Sequence, residues 1–161
     1  TVTDLLDREL RSEGGGPFGP CITRTLPLSG GDFGDPANYP AYVREQTAAG
    51  VERGLQPEAA AAIARRYGTN ATAVWEYLSS AQHEHTKLPP EWYAALRYSM
   101  EAEMAVTPAD FLVRRSSALL FDIGTVRRHG TEVIGVMANL LGWTGEQSAA
   151  YEQELRDSMP N

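Results

Sequence analysis

The chain has 161 residues, 42% hydrophobic and 22% charged, proportions that predict one globular domain with its own core. Its net charge of −7 argues against gripping a nucleic-acid backbone through bulk electrostatics. No apolar run is long enough for a membrane span, and the lone Cys21 excludes an intrachain disulfide and fits a reducing compartment.

In chain order, Val2, Leu5, Leu6 and Leu10 recur at helical spacing and predict a short amphipathic helix ending before Gly14-Gly15-Gly16. Residues 17–38 are interrupted by Gly, Pro and Asp. They read as an irregular arm lying across helices, since the weak alternation from Ile22 to Leu28 is too short for a sheet. Ser29-Gly30-Gly31-Asp32 lacks both the lysine of a phosphate-binding loop and G-x-G-x-x-G spacing, so a turn is expected. Cys21 has no neighbouring His or Cys and reads as a quiet thiol.

From Tyr39 onward the pattern is helical throughout. Tyr42, Val43, Gln46 and Val51 belong to a helix that Gly54 can end, and Pro57 opens an alanine-rich helix stopping at Tyr67-Gly68. Thr69 or Asn70 is placed to cap the next helix, which carries Val74, Tyr77, Leu78 and Ala81. His83-Glu84-His85 puts two histidines on different sides of a helix, a poor chelate, and is read as a solvated loop. His129 is read as a surface residue. Trp92, Leu96, Met100 and Met104 mark the core stripe of a long helix from Pro90.

The residues Glu103 to Ser116 hold a helix end, a tight junction and a new start. Thr107 can cap the second helix, Pro108 suits its first turn, and Asp110 meets the helix dipole favourably. Asp110 also stands four residues before Arg114, the acid-first order of a helical ion pair. Glu103 lies one junction upstream, within reach of Arg114 or Arg115. The cluster of Glu103, Asp110, Arg114 and Arg115 has two readings. One is an internal ion-pair brace; the other is a pair of guanidinium forks facing an anion or acidic partner. We take the brace, because paired acids stand ready to neutralise the arginines. Beyond the corner, Phe111, Leu112, Leu119, Leu120 and Ile123 continue the core. Val133, Ile134, Met137, Leu140 and Leu141 line another helix closed by Gly142. Thr144-Gly145-Glu146-Gln147 has capping-box spacing and opens the last helix, with Tyr151 and Leu155 facing inward and Trp143 plugging the joint. The expected fold is all-α: a bundle of about six to seven helices with an irregular N-terminal arm.

These segments carry a resemblance. The run EMAVTPADFLVRRSSALLFD, beginning at Glu103, resembles the signature of the C-terminal helical domain of FAD-dependent glycerol-3-phosphate dehydrogenases and α-glycerophosphate oxidases. Arg65-Arg66-Tyr67-Gly68-Thr69-Asn70-Ala71, Met137 to Trp143, and Pro27-Leu28-Ser29-Gly30-Gly31-Asp32-Phe33 resemble further segments of that family in the same order. Together they cover the chain from about Cys21 to its end. Ser116 departs from the family's more usual Thr but keeps the hydroxyl.

The resemblance implies a parent enzyme that oxidises sn-glycerol 3-phosphate to dihydroxyacetone phosphate with FAD and passes electrons to a quinone or to oxygen. It implies residues 1–16 as the closing helix of a flavin domain, 17–38 as a linker arm, and 39–161 as the helical domain. With the opening at Thr1 and no leader pattern, we expect a piece of a longer enzyme that binds no FAD and turns over nothing by itself. No catalytic, cofactor-binding or metal residue is assigned. The expected partners are the upstream flavin domain, glycerol 3-phosphate and quinone through the parent, no nucleic acid, and a homo-oligomer as an open option. A cytoplasmic location is expected, with the parent peripheral on the inner face of the cell membrane. The alternative from another class is a stand-alone helical interaction module, since no nucleophile–base pair, metal cluster or phosphate loop is evident.

Overall fold

The computed structural model describes residues 2–14, 22–81 and 86–159. Every regular element among them is helical: α1 (Val2–Ser12), α2 (Tyr39–Glu52), α3 (Pro57–Tyr67), α4 (Ala71–Glu76), α5 (Leu78–Ala81), α6 (Pro90–Ala102), α7 (Ala118–Phe121), α8 (Ile123–Leu141) and α9 (Gly145–Ser158). A π-helical turn, Asp110–Arg115, stands between α6 and α7. The chain is thus an all-α domain. Cys21, His83 and His85 lie outside the described residues.

Helix α6 is the centre. Tyr93, Ala94, Ala95, Leu96, Tyr98 and Ser99 are buried around most of its circumference, so it is enclosed rather than half-solvated. Phe111 and Leu112 from the π turn and Val126, Val133, Ile134 and Met137 from α8 complete the core around it, with Ile63 and Val74 from α3 and α4. Helices α2 and α3 approach closely because Gly50 faces Ala60; a Cβ at Gly50 would lie 2.8 Å from Ala60 Cβ and 3.1 Å from the Trp75 ring. Beside that contact the Trp75 indole N–H donates to Gln46 Oε1 at 2.8 Å, which satisfies a buried donor and a buried acceptor together.

The arm docks by a backbone contact. Ser29 and Gly30 form a turn laid against the α3–α4 junction: Thr69 N–H donates to the Gly30 carbonyl at 3.0 Å, and Asn70 donates to Ser29 Oγ at 2.8 Å. Gly68, at φ +53° and ψ −130°, occupies a backbone region that side chains forbid, and a Cβ there would lie 1.9 Å from the Gly30 oxygen. Asn70 is therefore engaged with the arm and makes no capping bond to α4, contrary to the sequence expectation. Phe33 then packs edge-on against Tyr39 and Tyr42, with ring centroids 5.2 and 5.3 Å apart.

Several expected core positions are corrected. Met104 is 83% exposed at φ +58°, because the Glu103 and Ala105 N–H groups both turn back to the Ser99 carbonyl and end α6 before it. Trp92 and Met100 are half-buried at the edge of the core. Leu120 is exposed: the left-handed Ser117 breaks the helix, and the single turn α7 that follows turns Ala118 and Leu119 inward instead. Leu141 is exposed at the last turn of α8, where Gly142 (φ +67°) reverses the chain. His129 is half-buried, its ring 6.2 Å from that of Trp92. At the next joint the Thr144–Gln147 capping box is complete, and Trp143 lies 4.4 Å from Tyr151 between ring centroids.

Candidate functional site

The corner between α6 and the π turn is built by Asp110. Its Oδ2 accepts from the Val106 N–H (3.1 Å), the Thr107 N–H (2.9 Å) and the Thr107 hydroxyl (2.8 Å), while Asp110 N–H donates back to Thr107 Oγ1 at 3.2 Å. This reciprocal cap satisfies otherwise orphaned donors at a helix start. Burial raises the Asp110 carboxyl pKa, but the Thr107 hydroxyl, the Val106 and Thr107 amides and the Arg114 charge outweigh it and hold the group below the ordinary Asp range. Arg114 Nη1 meets Asp110 Oδ1 at 2.6 Å.

Glu103 and Arg115 form the other half. Arg115 Nη2 donates to the Glu103 carbonyl at 2.7 Å, closing the corner across twelve residues, and Arg115 Nε lies 3.4 Å from Glu103 Oε2. That oxygen is buried and accepts no hydrogen bond among the described residues, so the side-chain contact is one of charge alone. Tyr67 lies nearby in the core; burial, foremost, pushes its phenol up, and the Glu103 charge adds to the shift.

The π turn directs the chain beyond it. Ser116 N–H and Ser116 Oγ both donate to the Phe111 carbonyl, at 2.7 and 2.8 Å, so the chain closes a loop one residue wider than an α-turn. Phe111 and Leu112 point inward, Arg114 and Arg115 outward, and Ser116 inward again. Ser117 adopts φ +56°, a left-handed conformation that costs an L-residue about 1–2 kcal/mol. Next in the chain, α7 is a single turn that leaves Phe121 87% exposed.

Beside the turn lies a hollow of about 300 Å³, bordered by Arg66, Trp92, Phe111, Ser117, Phe121 and Asp122 among others. None of the four charged corner residues borders it. Arg114 is 64% exposed, engaged with Asp110, and lines none of the hollows described. The sequence reading missed this hollow. Its trace is the Ser116-Ser117 pair followed by four apolar residues, more than one short turn can bury.

The described residues do not fit a dinucleotide. Such a site needs parallel strands and a glycine turn opening a helix, and none of the described residues forms a strand. No group of three or more metal-ligating side chains occurs among them, and no helix among them is long and apolar enough to cross a membrane.

The geometry defines an all-α domain in which Arg114 pairs with Asp110 and Arg115 with Glu103 at one corner. The chain belongs to the family of the C-terminal domain of alpha-glycerophosphate oxidase, whose model matches residues 21–148. It is 37% identical over 155 residues to an aerobic glycerol-3-phosphate dehydrogenase of Staphylococcus saprophyticus, and 34% identical over 158 residues to that of Staphylococcus aureus. These alignments cover 96% and 98% of this chain, and the chain spans 28% of the length of either relative. The X-ray structure of the glycerol-3-phosphate dehydrogenase from Bacillus halodurans complexed with FAD superposes with a TM-score of 0.84 at 30% identity. That match covers 97% of this chain and 32% of that one.

Proposed function

We propose that this chain is the C-terminal helical domain of an FAD-dependent glycerol-3-phosphate dehydrogenase, a parent that oxidises sn-glycerol 3-phosphate to dihydroxyacetone phosphate. The observation that carries this reading is the superposition on the FAD-complexed enzyme over almost the whole of this chain. When bound, FAD accepts the hydride from C2 of the substrate. The residues here do not form its site, so the flavin belongs to the remainder of the parent, and no step of the oxidation runs through these side chains.

The domain's own part is structural. Residues 1–16 close the flavin domain, 17–38 form the arm and 39–161 the helical cap. The arm's turn at Gly30 fixes its path across the cap through the contact at Gly68. Glu103, Asp110, Arg114 and Arg115 act as an internal brace, because each arginine is engaged by an acid or a carbonyl of the same corner. The partners of this reading are the upstream flavin domain and, through the parent, glycerol 3-phosphate and a quinone or oxygen. The parent works on the cytoplasmic side, peripheral to the membrane.

The test is to express the parent with and without the residues after Phe33 and measure dye-linked glycerol 3-phosphate oxidation together with flavin content. A structural cap predicts that truncation removes flavin, activity and recoverable protein together. Full flavin occupancy and turnover without the domain would overturn the structural role. An intact, flavin-loaded parent that fails to oxidise glycerol 3-phosphate would overturn the enzyme assignment.

A further inference from the structure

We propose that the hollow beside the π turn, together with the exposed tip of α7, is the surface on which the remainder of the parent polypeptide docks. This rests on the reading of the chain as a domain of a longer flavoprotein. Helix α7 is one turn long, anchored inward by Ala118 and Leu119, and it presents Leu120 and Phe121 to solvent. Phe121 is 87% exposed and borders the hollow of about 300 Å³ whose floor includes Trp92 and Phe111. A projecting aromatic beside an aromatic-lined hollow is what one half of a packed interface presents when the other half is elsewhere. The left-handed Ser117 holds that tip out from the domain, and none of the described residues covers the projection.

The length of related chains names the occupant. This chain spans 28% of the curated relatives it matches, so most of a related polypeptide lies outside it, tethered and available at high effective concentration. A second copy is the competing occupant, and dependence on protein concentration distinguishes it. Charge refines the partner's chemistry. Arg66, Glu91 and Asp122 border the hollow; neither Arg66 nor Glu91 makes an ion pair among the described residues, whereas Asp122 already caps α8 through the Thr125 N–H. The matching surface is an apolar side chain seated in the hollow, with a basic residue opposite Glu91 and an acidic one opposite Arg66.

Hydroxyl-radical footprinting of the flavin-loaded parent tests this directly. Phe121 is compared with Phe111, a residue of the same intrinsic reactivity that is 1% exposed. Trypsin cuts at Arg114 and Arg115 and places the two on separate peptides. The expected result is oxidation of Phe121 within about twofold of Phe111 at every protein concentration, with Phe121→Asp making Leu120 at least about tenfold more reactive than in the unaltered parent. Oxidation of Phe121 about tenfold or more faster than Phe111 overturns the docking surface while flavin content and glycerol 3-phosphate oxidation leave the enzyme reading intact. Protection of Phe121 that disappears on dilution also overturns it, in favour of a second copy. A parent without flavin or glycerol 3-phosphate oxidation overturns the reading beneath it instead.

Discussion

Comparing Asp110→Ala with Arg114→Ala separates the cap from the ion pair. The carboxylate is 21% exposed and accepts three hydrogen bonds on Oδ2 and one from Arg114 on Oδ1. A hydrogen bond to a charged group contributes about 1.5–3 kcal/mol, and loss of a helix cap alone costs about 1 kcal/mol. Water can reach the vacated amides of Val106 and Thr107 in part, so we expect Asp110→Ala to cost about 2–3 kcal/mol rather than the sum of its bonds. For a chain of this length that lowers Tm by about 5–10 °C. Arg114→Ala removes a partner that is mostly in solvent and should cost about 0.5 kcal/mol or less. The sign of the pH dependence comes from the lowered carboxyl. Asp110 stabilises the fold above the ordinary Asp range, near about 3.9, and that contribution is lost as pH falls through its lower folded value. The difference between the unaltered chain and Asp110→Ala should therefore shrink on acidification below that range. Urea unfolding followed by tryptophan fluorescence measures all three quantities. Equal losses for Asp110→Ala and Arg114→Ala would refute the reasoning, because the ion pair and not the backbone cap would then carry the corner.

Gly68→Ala forces a side chain into a glycine-only conformation and against the Gly30 oxygen, breaking the Thr69 and Asn70 bonds to the arm. It should cost about 3–4 kcal/mol in urea unfolding, and amide exchange should report release of residues 29–33. Gln46→Ala leaves the buried Trp75 N–H without its acceptor and opens space between α2 and α4. A loss of about 2 kcal/mol with a shifted tryptophan emission is expected, and an unchanged spectrum would count against the bond. Thr144→Ala removes half of the capping box of α9 and should cost about 1 kcal/mol, read as faster exchange in the first turn of that helix.

Features that depend on neighbours along the chain are legible without the fold. Pro57, Gly68 and the Thr144–Gln147 pair mark helix ends because capping and left-handed turns are local chemistry, and the apolar spacing of α8 names Val133, Ile134 and Met137 as core. The ordered segments around Arg65, Glu103 and Met137 were enough to place the chain in its family. The rest depends on contacts between distant segments. Met104 continues the periodicity of α6 by count, yet the helix ends before it because Ser99's carbonyl captures the Glu103 and Ala105 amides. The π turn adds one residue to a helical loop through the two bonds from Ser116 to the Phe111 carbonyl, and the left-handed Ser117 after it starts α7 afresh with Leu120 outward beside the hollow. Gly30 reads as an ordinary turn glycine; its close fit against Gly68 exists only once α3 ends beneath it, 38 residues further along the chain. Contacts between segments far apart in sequence leave no periodic trace, which is why the docking of the arm and the shape of the α7 surface had to wait for the fold.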